Sequence, residues 1–183
     1  MKPISLAEKR RNNKGVSIAE FAPAFALLIV CGIIPLFASL IIPVRIFFAQ
    51  GLLDRESLSL CRYEKMSDAT QKFGEKSWQS VLAQLGIKTT EKQLNLLITN
   101  TGGHTIAVEQ PAKVSHDWLP GGQMSPSIYR LQVLTKMEMP PVLSCSVVSI
   151  PGLTRKLNLT LKSESLWQNL SCDPETNDYF LNE

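Results

Sequence analysis

The chain has 183 residues, 44% of them hydrophobic and 19% charged, with a formal net charge of +3. That composition excludes a low-complexity disordered chain, a collagen-like repeat and a coiled-coil array. A net charge this small gives no case for nucleic-acid binding.

Residues 1–15 form a basic leader, in which Lys2, Lys9, Arg10, Arg11 and Lys14 stand against Glu8 and the segment ends in Gly15. After a short stretch containing Glu20, the chain turns apolar. Phe21 to Ala49 reads FAPAFALLIVCGIIPLFASLIIPVRIFFA, with Arg45 its one charge. A helix needs about 20 apolar residues to span the hydrocarbon of a bilayer, so the sequence predicts a transmembrane helix over 16–48. The part of the chain from Ala49 onward carries 13 Lys and Arg against 14 Asp and Glu. Positive charge concentrated before the span predicts a cytoplasmic N-terminus and an exported remainder. The run from Pro140 to Leu153 is interrupted by Ser144, Ser146, Ser149 and Pro151, and is too short to cross back. Pro23, Pro35 and Pro43 each remove a backbone donor from the span and favour a bent helix.

Residues 49–86 read as a helical stalk followed by an amphipathic helix. Leucines recur through QGLLDRESLSLCRYEKM, and Arg45 is placed to reach the outer headgroups. Trp78, Val81, Leu82 and Leu85 then fall on one helical face before Gly86, predicting a second helix over 67–86. Residues 87–183 read as a β-rich head. Leu94, Leu96 and Ile98 alternate with Gln93, Asn95 and Thr99, and Asn100-Thr101-Gly102-Gly103 makes a turn into a returning strand from His104 to Glu109. Residues 111–127 are a Pro- and Gly-rich loop. Tyr129, Leu131, Val133, Thr135, Met137 and Met139 then form one face of a strand whose other face is Arg130, Gln132, Lys136 and Glu138. Leu157, Leu159 and Leu161 repeat the pattern. The expected fold class is therefore α+β, a single N-terminal transmembrane helix continuing into a head with a small antiparallel sheet. The acidic segment from Asp173 to Glu183 reads as a flexible tail.

The exported part holds three of the four cysteines, Cys61, Cys145 and Cys172, with Cys31 inside the span. Export permits oxidation. Cys145–Cys172 is the first candidate disulfide, which would staple the end of the head, and Cys61–Cys172 is the second. No paired Cys/His spacing suggests a metal. His104 and His116 read as loop residues, and no nucleophile, phosphate-loop or zinc-protease motif is present. The sequence therefore predicts no enzyme and no cofactor.

The conjunction of a basic cluster, Gly15, Val16, three uncharged residues, Glu20-Phe21 and a long apolar run resembles a prepilin-type signal. In such signals the peptidase cuts after the glycine and leaves the apolar helix on the mature protein. A glycine lets extended backbone approach the peptidase's catalytic groups without a side chain in the way. The new α-amino group on Val16 could pair with the carboxylate of Glu20, which is otherwise costly at that depth, and set the register of packed subunits. More specifically, GVSIAEFAPAFALLIVCGI resembles the TadE/TadG-like pseudopilins of the tight-adherence (Tad) type IV pilus systems. Arg10, Arg11, Gly15, Glu20, Phe21, Ala22, Pro23, Leu27 and Leu28 carry the resemblance, over about 25 residues. Residues 128–143 and 157–165 look like that family's strand with proline-rich turn and its closing strand. Pro23 stands earlier in this chain than in many members.

The resemblance implies a minor pseudopilin needed for pilus assembly or adhesion, with cleavage between Gly15 and Val16 and register set by Glu20 and Phe21. Lys9, Arg10, Arg11 and Lys14 would be the leader's basic residues. The implied partners are a prepilin peptidase, other Tad pilins and pseudopilins, the inner-membrane assembly platform and membrane lipid. The implied location is the bacterial inner membrane, single-pass, with a periplasmic head, or the pilus at the cell surface. The alternative reading is an uncleaved signal-anchored envelope protein whose periplasmic head is a binding module.

Overall fold

The computed structural model describes residues 21–75, 77–143 and 149–183. The protein is α+β. Helix α1 runs Phe21–Leu60, about 60 Å at 1.5 Å per residue. It is followed by α2 (Met66–Gly74), α3 (Ser77–Gln84) and the strands β1 (Lys88–Asn100), β2 (Thr105–Glu109), β3 (Ser127–Met139) and β4 (Leu157–Leu166). The four strands form one antiparallel sheet in the order β2-β1-β3-β4.

The period-2 alternation read from the sequence sets the two faces of the sheet. Tyr129, Leu131, Val133, Thr135, Met137 and Met139 are all buried on the face that meets the helices. Leu94, Leu96 and Ile98 of β1 join them, as do Ser163 and Ser165 of β4. The opposite face is polar and laced with ion pairs, Glu91 to Lys136 at 2.6 Å and Arg130 to Glu164 at 3.7 Å. Such exposed pairs contribute little stability each. They do mark the face as one left to water.

Helix α1 has two different halves. From Phe21 to Phe48 nearly every large apolar side chain is exposed, among them Leu36, Phe37, Val44 and Phe47. From Ala49 onward the helix belongs to the head. Ala49, Leu53, Ser57 and Leu60 are fully buried, packed with α2, α3 and the sheet in one core. The segment 49–86 thus lies on the sheet instead of standing apart from it as a stalk. Pro43 is accommodated within the helix, and Pro35 sits just after its one irregular turn. That turn, Ile29–Ile33, is π-helical, with the Ile34 N–H donating to the Ile29 carbonyl. A wider turn is one way a helix adjusts near a residue that cannot donate.

The sequence predicts one helix over 67–86, and the structure breaks it. Gly74 ends α2 and Glu75 is extended. The break is held from β1, whose Lys92 Nζ donates to the carbonyls of Phe73 (2.7 Å) and Gly74 (3.1 Å) and lies 5.0 Å from the centre of the Phe73 ring. A cation on the last carbonyls of a helix supplies partners that the helix itself lacks.

The segment expected to be a mobile acidic tail folds back onto α2. The N–H groups of Met66 and Ser67, at the start of α2, donate to the carbonyls of Phe180 (2.9 Å) and Glu183 (2.7 Å). No side chain caps this helix. The C-terminal segment does so with its backbone. Leu181 is buried in the core, and Asn182 exchanges two hydrogen bonds with the backbone of Val114. Lys65 reaches Glu183 at 2.6 Å and Asp173 at 3.4 Å.

Candidate functional site: the apolar helix and its seam with the head

The residues that carry the signal-like motif, Lys9, Arg10, Arg11, Lys14, Gly15, Val16 and Glu20, lie outside the described residues, as does Cys145. Phe21 is described. It is the first described residue of α1, is 68% exposed, and stacks on Phe25 with ring centroids 5.9 Å apart. Cys31 is exposed on the apolar half of the helix, and Cys61 and Cys172 are free thiols. Arg45 is half-buried at the junction of the two halves.

The structure has one helix among the described residues long and apolar enough to cross a membrane, near the N-terminus. Its apolar half is exposed around most of its circumference, with one stripe through Ala38 and Ile42 covered by the protomer itself. In a lipid environment that surface would need no protein partner. In water it would be an association surface far larger than a monomer tolerates.

What this helix can do depends on how rigidly the head holds it. The seam is polar at its centre. The Ser57 hydroxyl donates to the Asp54 carbonyl at 3.0 Å. Its single proton is then used, so the hydroxyls of Ser163 (2.8 Å) and Ser165 (2.7 Å) donate to it. Three buried hydroxyls are thereby satisfied among themselves, which a core of low polarity requires. Serine is also small enough to let helix and strand approach closely. Seven residues earlier, Gln50 Nε2 donates to the Lys162 carbonyl of β4 at 3.0 Å and to Asp54 Oδ1 at 2.9 Å. Residues 50 and 57 of α1 thus match residues 162 to 165 of β4, so helix and strand run in the same direction. The β3–β4 end of the sheet accordingly faces the apolar half of α1.

A second surface lies on the other flank of α1. Leu52, Arg55, Glu56, Ser59, Lys72, Trp78 and Val81 line an open groove of about 320 Å³. Burial pushes the Glu56 carboxyl above its ordinary range, against the opposing pull of Lys72, Lys92 and Arg55. The Trp78 indole N–H is buried with no acceptor among the described residues. Trp78 also packs in the core, as its place on the apolar helical face predicts, and stacks on Phe73 at 6.5 Å.

Among the described residues no group of three His, Cys, Asp or Glu side chains could hold a metal ion. His104 and His116 are exposed, in the β1–β2 turn and in a short 3-10 turn respectively. Comparison of the chain with family models, with curated proteins and with solved structures gives no match.

The Ser57–Ser163–Ser165 cluster, the Lys92 cap and the docking of Leu181 went unread in the sequence. Each joins residues far apart in the chain, and none leaves a local pattern.

Proposed function

We propose that this protein is a minor pseudopilin of a tight-adherence type IV pilus system. The reading combines the TadE-like motif in residues 10–28 with one structural observation, a helix whose apolar half is exposed around most of its circumference while a compact head grips its other half. A bare apolar helix can reside in lipid before assembly and pack against other such helices afterwards. Hydrophobic burial does not drive helices together within lipid, so packing there rests on shape, register and the Val16–Glu20 pairing. On this reading the helix sits in the bacterial inner membrane with the leader in the cytoplasm. A prepilin peptidase cuts between Gly15 and Val16, and the head meets other pilins or the assembly platform in the periplasm. The chain itself performs no catalysis.

The deciding experiment is the N-terminus of the protein purified from its native membranes, by intact mass and terminal peptide sequencing. The expected result is a chain starting at Val16. A chain starting at Met1, in cells whose prepilin peptidase is active on its other substrates, would sink the pseudopilin reading. It would leave a signal-anchored envelope protein whose head is a binding module, and the groove beside Trp78 would be the first surface to probe.

A further inference from the structure

The connection between β3 and β4 lies at an unexpected height on the molecule. It is not a loose loop where it is described. Val142 N–H donates to the Gly152 carbonyl (3.2 Å) and Leu143 N–H to the Leu153 carbonyl (2.7 Å), so its two limbs are paired. A tight turn at Ile150–Arg155 is closed by three N–H groups on the Ile150 carbonyl and by the Gly152 N–H on the Arg155 carbonyl. The turn packs directly on α1. A Cβ on Gly152 would stand 2.9 Å from Ile42 Cδ1, which shows how closely the turn approaches the helix, and φ there is +79°, which calls for glycine. Ala38, one turn before Ile42 on the same helix face, is 4% exposed.

Ile42 belongs to the apolar half of α1. Its neighbours Leu40, Ile41 and Val44 lie within about 3 Å of it along the helix axis, and all are exposed. Phe47 and Phe48, further toward the head, are exposed too. If those side chains sit in lipid, whatever packs on Ile42 sits at the same depth. The connection is suited to it. Ile150 is 45% exposed, Pro151 is exposed, and Val142 and Leu143 are half-buried. Cations flank this turn along the chain and at its end of the sheet. Arg155 and Lys156 follow it, Lys88 lies at the same end of the sheet, and Arg45 is one turn along α1. Glu138, the facing acid, is already paired with Lys156 at 2.6 Å.

We propose that the turn Ile150–Arg155, on the returning limb of the β3–β4 connection, is a second membrane contact, which enters the outer part of the bilayer beside α1 with Ile150 and Pro151 in the acyl region and Arg155 and Lys88 at anionic headgroups. An apolar turn flanked by cations is the pattern of an interfacial anchor. Two points of contact would fix the rotation of the whole molecule about the axis of α1 in the bilayer, which a single span leaves free. The inference rests on the reading of α1 as membrane-spanning, not on the pseudopilin assignment.

The test uses the full chain in vesicles of phosphatidylethanolamine and phosphatidylglycerol. With Cys31, Cys61, Cys145 and Cys172 replaced by serine, a nitroxide is placed in turn at Ile150→Cys, Val44→Cys and His104→Cys. His104 lies in the turn at the opposite end of the sheet. Collision with oxygen is compared with collision with a water-soluble nickel chelate. The expected result is that position 150, like 44, favours oxygen, while 104 favours nickel. Position 150 favouring nickel while 44 favours oxygen overturns the proposal and leaves α1 in the membrane. Both favouring nickel removes the membrane-spanning reading, and the proposal with it. Protection of position 150 from both reagents, with dipolar broadening, shows a second copy covering the tip and also overturns it. The unsubstituted chain supplies an independent check with a phospholipid carrying a carbene precursor in its acyl chain. Adducts are expected on the peptide holding Ile150 as well as on α1, and adducts on α1 alone count against the proposal.

Discussion

Cys61 shows how one side chain's surroundings set its chemistry. It follows the last turn of α1, where its own N–H donates to the Ser57 carbonyl, and it packs against the core. Burial pushes its thiol from the ordinary 9.0 up to about 11. Only the thiolate reacts readily with alkylating reagents. Labelling of Cys61 in the folded protein should therefore rise about tenfold per pH unit well past pH 9, with no plateau near the usual thiol value. The sign for stability follows from the same shift. The folded state resists ionisation, so stability linked to this thiol is intact below pH 9.0, falls as pH rises above it and is lost by about 11. Peptide-resolved labelling rates across pH 7 to 10 check the first statement. A plateau at Cys61 below about pH 9.5 would show that the thiol is not buried as described.

At the scale of elements, the strands were legible and the helix boundaries were not. β3 announces itself because Tyr129 to Met139 alternate without a break and the sheet has one wet face, so inside and outside follow from a period of two. The β1–β2 turn is equally local, since Asn100 accepts from the N–H of His104 through its own side chain at 2.9 Å. The break after Gly74 depends on Lys92, and the start of α2 depends on Phe180 and Glu183. Those partners are remote, so periodicity carries no trace of them. The C-terminal segment misled for a related reason. Its acidic composition hides one fully used apolar residue, Leu181, 1% exposed. Leu181→Ala should destabilise the fold by about 2–5 kcal/mol, as for other buried leucines. Because the same segment caps α2, hydrogen exchange at Met66 and Ser67 should quicken with it. A change within about 0.5 kcal/mol, the range of ordinary surface substitutions, would mean the segment is not part of the core.

The whole molecule divides at Ala49, though the chain shows no linker there. The candidate assembly site sits almost wholly on the N-terminal side, where its residues up to Glu20 are known from sequence alone. The head sits on the other side, where its seam with α1 was invisible in sequence. Serine at 57, 163 and 165 looks polar and exposed until the fold brings the hydroxyls of Ser163 and Ser165 within 2.8 Å of the Ser57 oxygen. The division predicts that a chain beginning at Ala49 folds. It keeps Leu53, Ser57 and Leu60, every helix–strand hydrogen bond of the seam, α2, α3 and the complete sheet. It loses the exposed apolar surface from Phe21 to Phe48 and, with it, Ile42 beneath Gly152. That fragment should be soluble without detergent, monomeric, and unfold cooperatively, whereas the full chain should require detergent or lipid. The fragment should also retain the protected amides of β1 and β3 and lose protection at residues 152 to 155, whose turn rests on α1. Loss of protection throughout β3 and β4 would show that the apolar half of α1 supports the sheet itself, so that helix and head are one folding unit and the helix is not simply a projection from it.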